Sequence, residues 1–103
     1  MAALIFSSQE GTKNRPVLVV YDAGDDDLLV APVTSHAGRS ERDISLDRWK
    51  EAGLRLPSTV RLEKLATIEK GRVVQQLGEV TGSDRLRLKS VLELFLKTIS
   101  KVW

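Results

Sequence analysis

The sequence predicts a mainly β fold of the α+β type: a small, strongly bent antiparallel β-barrel followed by a long C-terminal helix. Three observations predict it. Between Arg15 and Ser35, two apolar runs flank a break that holds Gly24 and four aspartates, the pattern of two antiparallel strands and their connecting loop. Shorter segments before and after this hairpin alternate apolar with polar residues or stay briefly apolar between turn signals. From Thr81 onward the apolar period changes from two to about 3.6 residues. At 103 residues the chain forms one domain, spanning 1–103, with room for a single core.

Taken in order, Leu4-Ile5-Phe6 reads as a short first strand that enters a polar loop, Ser7 to Asn14, carrying Gly11. The central hairpin follows. Its runs, Val17 to Tyr21 and Leu28 to Val33, are apolar almost throughout, so neither strand can leave a whole face in water. Burying a Val or Leu contributes roughly 1.5–3 kcal/mol, which makes this hairpin the centre of the core. Arg15 before the first strand and Thr34 at the end of the second lie at the same end of an antiparallel pair, bringing a cation and a hydroxyl together at a rim.

Ser35 to Arg42 is too hydrophilic to bury and reads as a mobile loop. Ile44-Ser45-Leu46 alternates like a brief strand. Asp47 is a suitable N-cap for a turn of helix through Ala52, ended by Gly53 in the left-handed conformation. After Pro57-Ser58, Val60-Arg61-Leu62-Glu63 reads as a half-buried strand that displays Arg61 and Glu63 on one face, with Leu65 to Ile68 continuing it. Glu69 to Gly71 makes a turn, and Val73 to Val80 a last strand with Gly78 as a bulge or crowded position. Ser83 reads as the N-cap of the final helix, and Asp84 favours its positive end. Leu88, Val91, Leu92, Phe95 and Ile99 form one stripe for packing. Leu94, Leu96 and Trp103 broaden it, which suits either a helix folding down on its own sheet or a homodimer interface.

Composition narrows the function. There is no cysteine, so disulfide frameworks and thiolate zinc sites are excluded. Met1 to Ser7 has neither the basic start nor the length of a signal peptide, and no run reaches the about 18 apolar residues of a membrane span. A soluble cytoplasmic protein is the expectation. The formal charge is only +2, so any nucleic-acid role must rest on a local patch.

Four segments carry a family resemblance: Asn14-Arg15-Pro16-Val17-Leu18-Val19-Val20, Ala31-Pro32-Val33-Thr34-Ser35, Pro57-Ser58-Thr59-Val60-Arg61-Leu62-Glu63 and Thr67-Ile68-Glu69-Lys70-Gly71-Arg72-Val73. In this order the chain, from about Phe6 to the final helix, resembles the MazF/PemK toxins, the endoribonucleases of bacterial toxin-antitoxin pairs. The barrel would then be SH3-like. The resemblance implies cleavage of single-stranded RNA (mRNA) with no metal and no cofactor, the ribose 2′-OH attacking the adjacent phosphate. It implies that Arg15 stabilises or protonates the phosphate and that Thr34 holds a phosphate oxygen or the 2′-OH. In the PemK branch an arginine and an aspartate two residues apart serve as acid and base, and Arg61 and Glu63 fall on those positions. Lys13, Ser35, His36 and Arg39, beside the same rim, are the candidate RNA-binding residues. Arg42 is a further candidate for phosphate, and Trp49 for packing or for stacking on a base. The implied partners are RNA, a cognate antitoxin that threads a flexible acidic segment over the toxin, and a second copy in a homodimer.

The chain departs from the family in three places. The first strand starts almost at its usual end, so the start of the protein could lie upstream. Ala66 stands where an arginine is usual, and Glu63 replaces an aspartate. Two other classes stay open: a non-catalytic barrel that binds a protein target, as gyrase-poisoning toxins of this architecture do, and an RNA-binding module without cleavage.

Overall fold

A computed structural model describes residues 3–103; the reading of Met1 and Ala2 as part of a segment without leader features lies outside them. Seven strands precede one helix: β1 (Ala3–Glu10), β2 (Lys13–Tyr21), β3 (Asp27–Thr34), β4 (Asp43–Ser45), β5 (Thr59–Arg61), β6 (Ala66–Glu69), β7 (Val73–Val80) and α1 (Gly82–Ser100). The order is β4-β5-β3-β2-β1-β7, with β6 beside β3, and every pairing is antiparallel. β3 divides its outer edge: Asp27 to Val30 pair with β6, Val33 and Thr34 with β5. That division, with register shifts in β1–β7 and β2–β3, bends the sheet. β4 and β7 end the ladder without pairing to each other, so the expected barrel is a strongly bent open sheet.

The central hairpin organises the core as its composition predicts. Leu18, Ala31 and Val33 pack with Ile5, Ile44, Leu46, Val60, Leu62 and Val80. Val17, Leu28 and Val30 pack in a second cluster with Phe6, Val19, Ile68 and Val73. Both clusters draw on the same two strands, which is why their runs do not alternate. In the turn, the Asp22 carboxylate accepts the Gly24 N–H at 2.8 Å and lies 2.9 Å from Lys70 Nζ. The hydrogen bond from Lys70, then that from Gly24, holds the Asp22 carboxyl below the usual carboxylate range.

Several expectations are corrected. Ser7 to Asn14 is not a loop: β1 runs to Glu10 and β2 starts at Lys13, joined by a tight turn at Gly11, φ +62°. Arg15 therefore lies within a strand, opposite Ser8. The arm is polar because most of its outer residues are exposed, and its backbone ladder forms without apolar side chains. Leu62 to Lys64 is a 3₁₀ turn, not strand. Leu62, 1% exposed, turns into the core while its N–H bonds to the Arg42 carbonyl, so Arg61 and Glu63 do not share a strand face. Residues 66–69 form a separate strand on β3.

The helix starts at Gly82, with Thr81 at the N-cap and no side-chain cap. Asp84 and Leu88 are its buried residues; Val91 and Leu92 pack on the main core, and Phe95 lies under the Arg42 guanidinium at 5.4 Å. Leu94, Leu96 and Trp103 are exposed, so they are not folded onto the sheet. The loop read as mobile is tied down by Asp43, whose Oδ2 accepts the N–H groups of Arg39 at 2.7 Å and Ser40 at 3.3 Å.

Candidate active site

A cleft of about 590 Å³ opens where β2 begins and β3 ends. The β2–β3 register pairs Val17 with Pro32; continued by two residues it sets Arg15 opposite Thr34. Both line the cleft, with Ser35 and His36 following on. The Thr34 hydroxyl oxygen accepts the His36 N–H at 3.1 Å, which fixes the start of the loop and leaves the hydroxyl proton available to donate. Arg15 is exposed and holds the Glu10 carboxylate at 3.3 Å.

The facing wall comes from Gly53, Leu54, Arg55 and Leu56, and the floor from Ser7 on β1 and Gln75 on β7, which are paired across the two strands. Its placement depends on two glycines. Gly53 has the left-handed φ, +87°, that the sequence predicts, but residues 47–53 form hydrogen-bonded turns rather than the expected turn of helix, and the Gly53 backbone packs on Leu77 and Gly78. A side chain at Gly78 would collide with the Ala52 carbonyl, so the crowding expected there is real. The same turn is capped from α1. Asp84, 1% exposed, accepts the Asp47 N–H at 3.1 Å, the Arg48 N–H at 2.8 Å and Arg87 Nη2 at 2.6 Å. Burial pushes its carboxyl up, but the Arg48 and Asp47 N–H groups and the Arg87 guanidinium outweigh burial and hold it below the usual range.

No Asp or Glu is among the lining residues, whereas Arg15, Arg55 and His36 are. Such a cleft favours an anion, and its hydroxyls and guanidiniums can donate to phosphate oxygens. The remaining candidates lie elsewhere. Arg61 Nε is 3.6 Å from the buried Asp43 carboxylate, and Glu63 is 3.9 Å from Arg42; neither lines the cleft. Lys13 pairs across the β1–β2 arm with Glu10, and Arg39 is exposed on the loop tied to Asp43. Trp49 packs partly buried against the main core. Sequence reasoning missed Asn14, Gln75 and Arg55. Arg55 had a signal, a cation between Gly53 and Pro57 in a segment built to turn. Among the described residues no group of three or more His, Cys, Asp or Glu could hold a metal ion.

Comparison with known proteins adds the context. Residues 3–96 match the family model of the PemK-like, MazF-like toxin of type II toxin-antitoxin system. The fold is similar to that of the Mycobacterium tuberculosis toxin MazF-mt6, with a TM-score of 0.74 at 25% identity over 86% of this chain and 91% of that one. It is also similar to an endoribonuclease in complex with its cognate antitoxin from a mycobacterial species, with a TM-score of 0.77 at 17% identity over 94% of each chain. A third similar structure is a MazE-MazF crystal structure from Deinococcus radiodurans, with a TM-score of 0.71 at 21% identity over 92% of this chain and 91% of that one. No curated protein sequence matches the chain. With 94 of 103 residues inside the family model and the bent sheet shared with these structures, the chain belongs to the PemK-like, MazF-like toxins of type II toxin-antitoxin systems.

Proposed function

We propose that this toxin is an endoribonuclease that cuts single-stranded RNA at preferred sequences, without a metal, by attack of a ribose 2′-OH on the adjacent phosphate. The observation that carries the reading is the meeting of Arg15 and Thr34 in a cleft that no carboxylate lines. As the 2′-oxygen bonds to phosphorus, the phosphorane gains negative charge. Arg15 stabilises that charge, and the Thr34 hydroxyl donates to a non-bridging oxygen. The 2′-OH proton leaves to a base, the P–O5′ bond breaks, and the 5′-oxygen takes up a proton, giving a 2′,3′-cyclic phosphate and a 5′-hydroxyl. His36 is the one imidazole lining the cleft and is the group available there for proton transfer. The acid and base implied at Arg61 and Glu63 would have to act from outside this cleft, so the reading rests on Arg15 and Thr34.

The same reading gives the toxin a cognate antitoxin in the cytoplasm. An acidic, extended segment of such a partner suits the cationic cleft and would exclude RNA from it; ordering that segment on binding is characteristic of disordered inhibitors. The exposed Leu94, Leu96, Val102 and Trp103 support a homodimer, which sedimentation would detect.

The test is cleavage of a long single-stranded transcript in EDTA, with product ends mapped. The wild type is expected to cut at a short recurring sequence and leave cyclic phosphates. Arg15→Ala should lower the rate about 10²–10³-fold, as loss of a charge-stabilising donor does. Thr34→Val should lose a similar factor while Thr34→Ser retains most activity. Folded wild type that leaves the transcript intact would sink the enzyme reading, and measured RNA binding would then separate an RNA-binding module from a protein-directed toxin.

A further inference from the structure

We propose that Arg55 is a second phosphate-binding residue, which holds the RNA backbone phosphate next to the one that reacts. The inference rests on the endoribonuclease reading and goes beyond it by naming how the flanking strand is held. Four features point to Arg55. It lines the same cleft as Arg15 and Thr34 from a different chain segment, within reach of a strand whose reacting phosphate sits at Arg15. It is exposed and has no hydrogen bond or ion pair among the described residues, whereas Arg15, Arg42, Arg48, Arg61 and Arg87 are each paired with a carboxylate. No carboxylate lines the cleft to compete for it.

The fourth feature is the backbone that carries it. A solvated rim arginine needs no particular support, yet this segment is fixed at both ends. The Leu54 N–H donates to the Trp49 carbonyl at 3.0 Å, and the Ser58 hydroxyl donates to the Leu56 carbonyl at 2.7 Å. The Leu46 N–H in turn donates to the Ser58 carbonyl at 2.9 Å. Before it, the Gly53 backbone packs on Leu77 and Gly78, leaving no room for movement toward β7. A guanidinium carried on a fixed backbone presents planar paired donors to phosphate at lower ordering cost than a lysine on a mobile one. Beside it, Leu56 and Val74 line the cleft at 58% and 53% exposure, an apolar surface for the base or ribose between two phosphates.

A flanking contact made equally in ground and transition states lowers KM and leaves kcat alone, so its loss raises KM only. Two measurements on the full chain test this, using Arg55→Ala, Arg55→Lys and, as a control on the helix, Lys97→Ala. The first is binding to a fluorescein-labelled, random-sequence RNA 20-mer, 2′-O-methylated throughout so that it cannot be cut, between 50 and 200 mM NaCl. Loss of one phosphate contact on a single strand should flatten the slope of log K against log salt by about 0.7 in Arg55→Ala. Affinity should fall roughly tenfold, as for a lost charge-assisted hydrogen bond. Arg55→Lys should restore the slope, and Lys97→Ala should leave it unchanged. The second is cleavage of the long transcript, where Arg55→Ala should raise KM about tenfold with kcat within about twofold of wild type.

An unchanged slope and KM in an active enzyme would overturn the proposal and return Arg55 to a solvated residue. A fall in kcat at constant KM would overturn it differently, placing Arg55 on the reacting phosphate. Wild type that neither binds nor cuts RNA would remove the endoribonuclease reading and this inference together, an outcome distinct from failure at Arg55 alone.

Discussion

Replacing Asp84 by asparagine tests how the helix holds the cleft wall. The carboxylate is 1% exposed and accepts two backbone N–H groups from the 47–53 turn and one guanidinium N–H from Arg87. Hydrogen bonds to a charged group contribute about 1.5–3 kcal/mol each. Asparagine keeps one acceptor oxygen but turns its NH₂ group toward the second backbone N–H, so one such bond is lost and one buried donor is left unpaired. Arg87 is 42% exposed, so solvent screens its share. A net loss of about 3 kcal/mol follows, a large part of the 5–15 kcal/mol typical of a domain. At about 4–8 °C per kcal/mol the melting temperature should fall by roughly 12–24 °C. Urea unfolding followed by tryptophan fluorescence reads this, because Trp49 packs on the core while Trp103 is already 96% exposed in the folded protein. The pH dependence fixes the mechanism. The folded carboxyl is held below its unfolded value of about 3.9, so its stabilisation is complete above that value and disappears as pH falls through the folded one. The gap between wild type and variant should be constant from pH 7 to about 5 and narrow below about pH 4. A variant as stable as wild type, or a gap that does not narrow in acid, would refute the reasoning.

Two further outcomes are expected. Gly78→Ala should destabilise by about 1–3 kcal/mol or more and reduce RNA cleavage together, because its methyl group meets the Ala52 carbonyl and pushes out the wall that carries Arg55; urea midpoints and cleavage rates measured side by side check it. On the helix, Leu88→Ala at 5% exposure should cost about 2–5 kcal/mol, while Leu86→Ala at 66% exposure, outside the group offered for the homodimer, should stay within about 0.5 kcal/mol, a contrast that thermal unfolding resolves.

What was legible in the sequence was what local pattern encodes. The Val17–Tyr21 and Leu28–Val33 runs announced the central pair because burial on two faces leaves continuous apolar residues. Gly53 and Gly78 were identified by punctuation alone, and the change of period marked α1. The β1–β2 arm was read as loop because an exposed ladder needs no apolar residue: its backbone bonds satisfy each other whatever the side chains are. The Arg61 and Glu63 spacing was read with a period of two, and the structure places a 3₁₀ turn there because Leu62 must reach the core. Asp84 looked like a partner of its own helix terminus. Its acceptors serve backbone 36 and 37 positions earlier in the chain, a relation with no sequence period. Arg55 has the same kind of relation to the site, since its place in the cleft that Arg15 lines depends on a backbone contact between the 47–53 turn and β7.

Charge distribution explains how a chain of net charge +2 can present an anion-binding end. Asp22, Asp25 and Asp26 occupy the turn of the central hairpin and Asp27 opens β3 beside it, whereas Arg15 and Thr34 occupy the open end. Six residues of strand from Arg15 to Tyr21 separate them by roughly 20 Å at about 3.3 Å per residue. The screening length at physiological salt is about 8 Å, so the acidic turn is more than two such lengths away and barely weakens the field at the cleft. The carboxylate that does matter is Glu10, 3.3 Å from Arg15. With both side chains well exposed, that pair contributes at most about 1 kcal/mol. A phosphate that meets Arg15 with two hydrogen bonds, together with the Thr34 hydroxyl, can displace it. Glu10 therefore opposes weak anions more than a strand held at several points, which favours RNA over single phosphates in the same cleft.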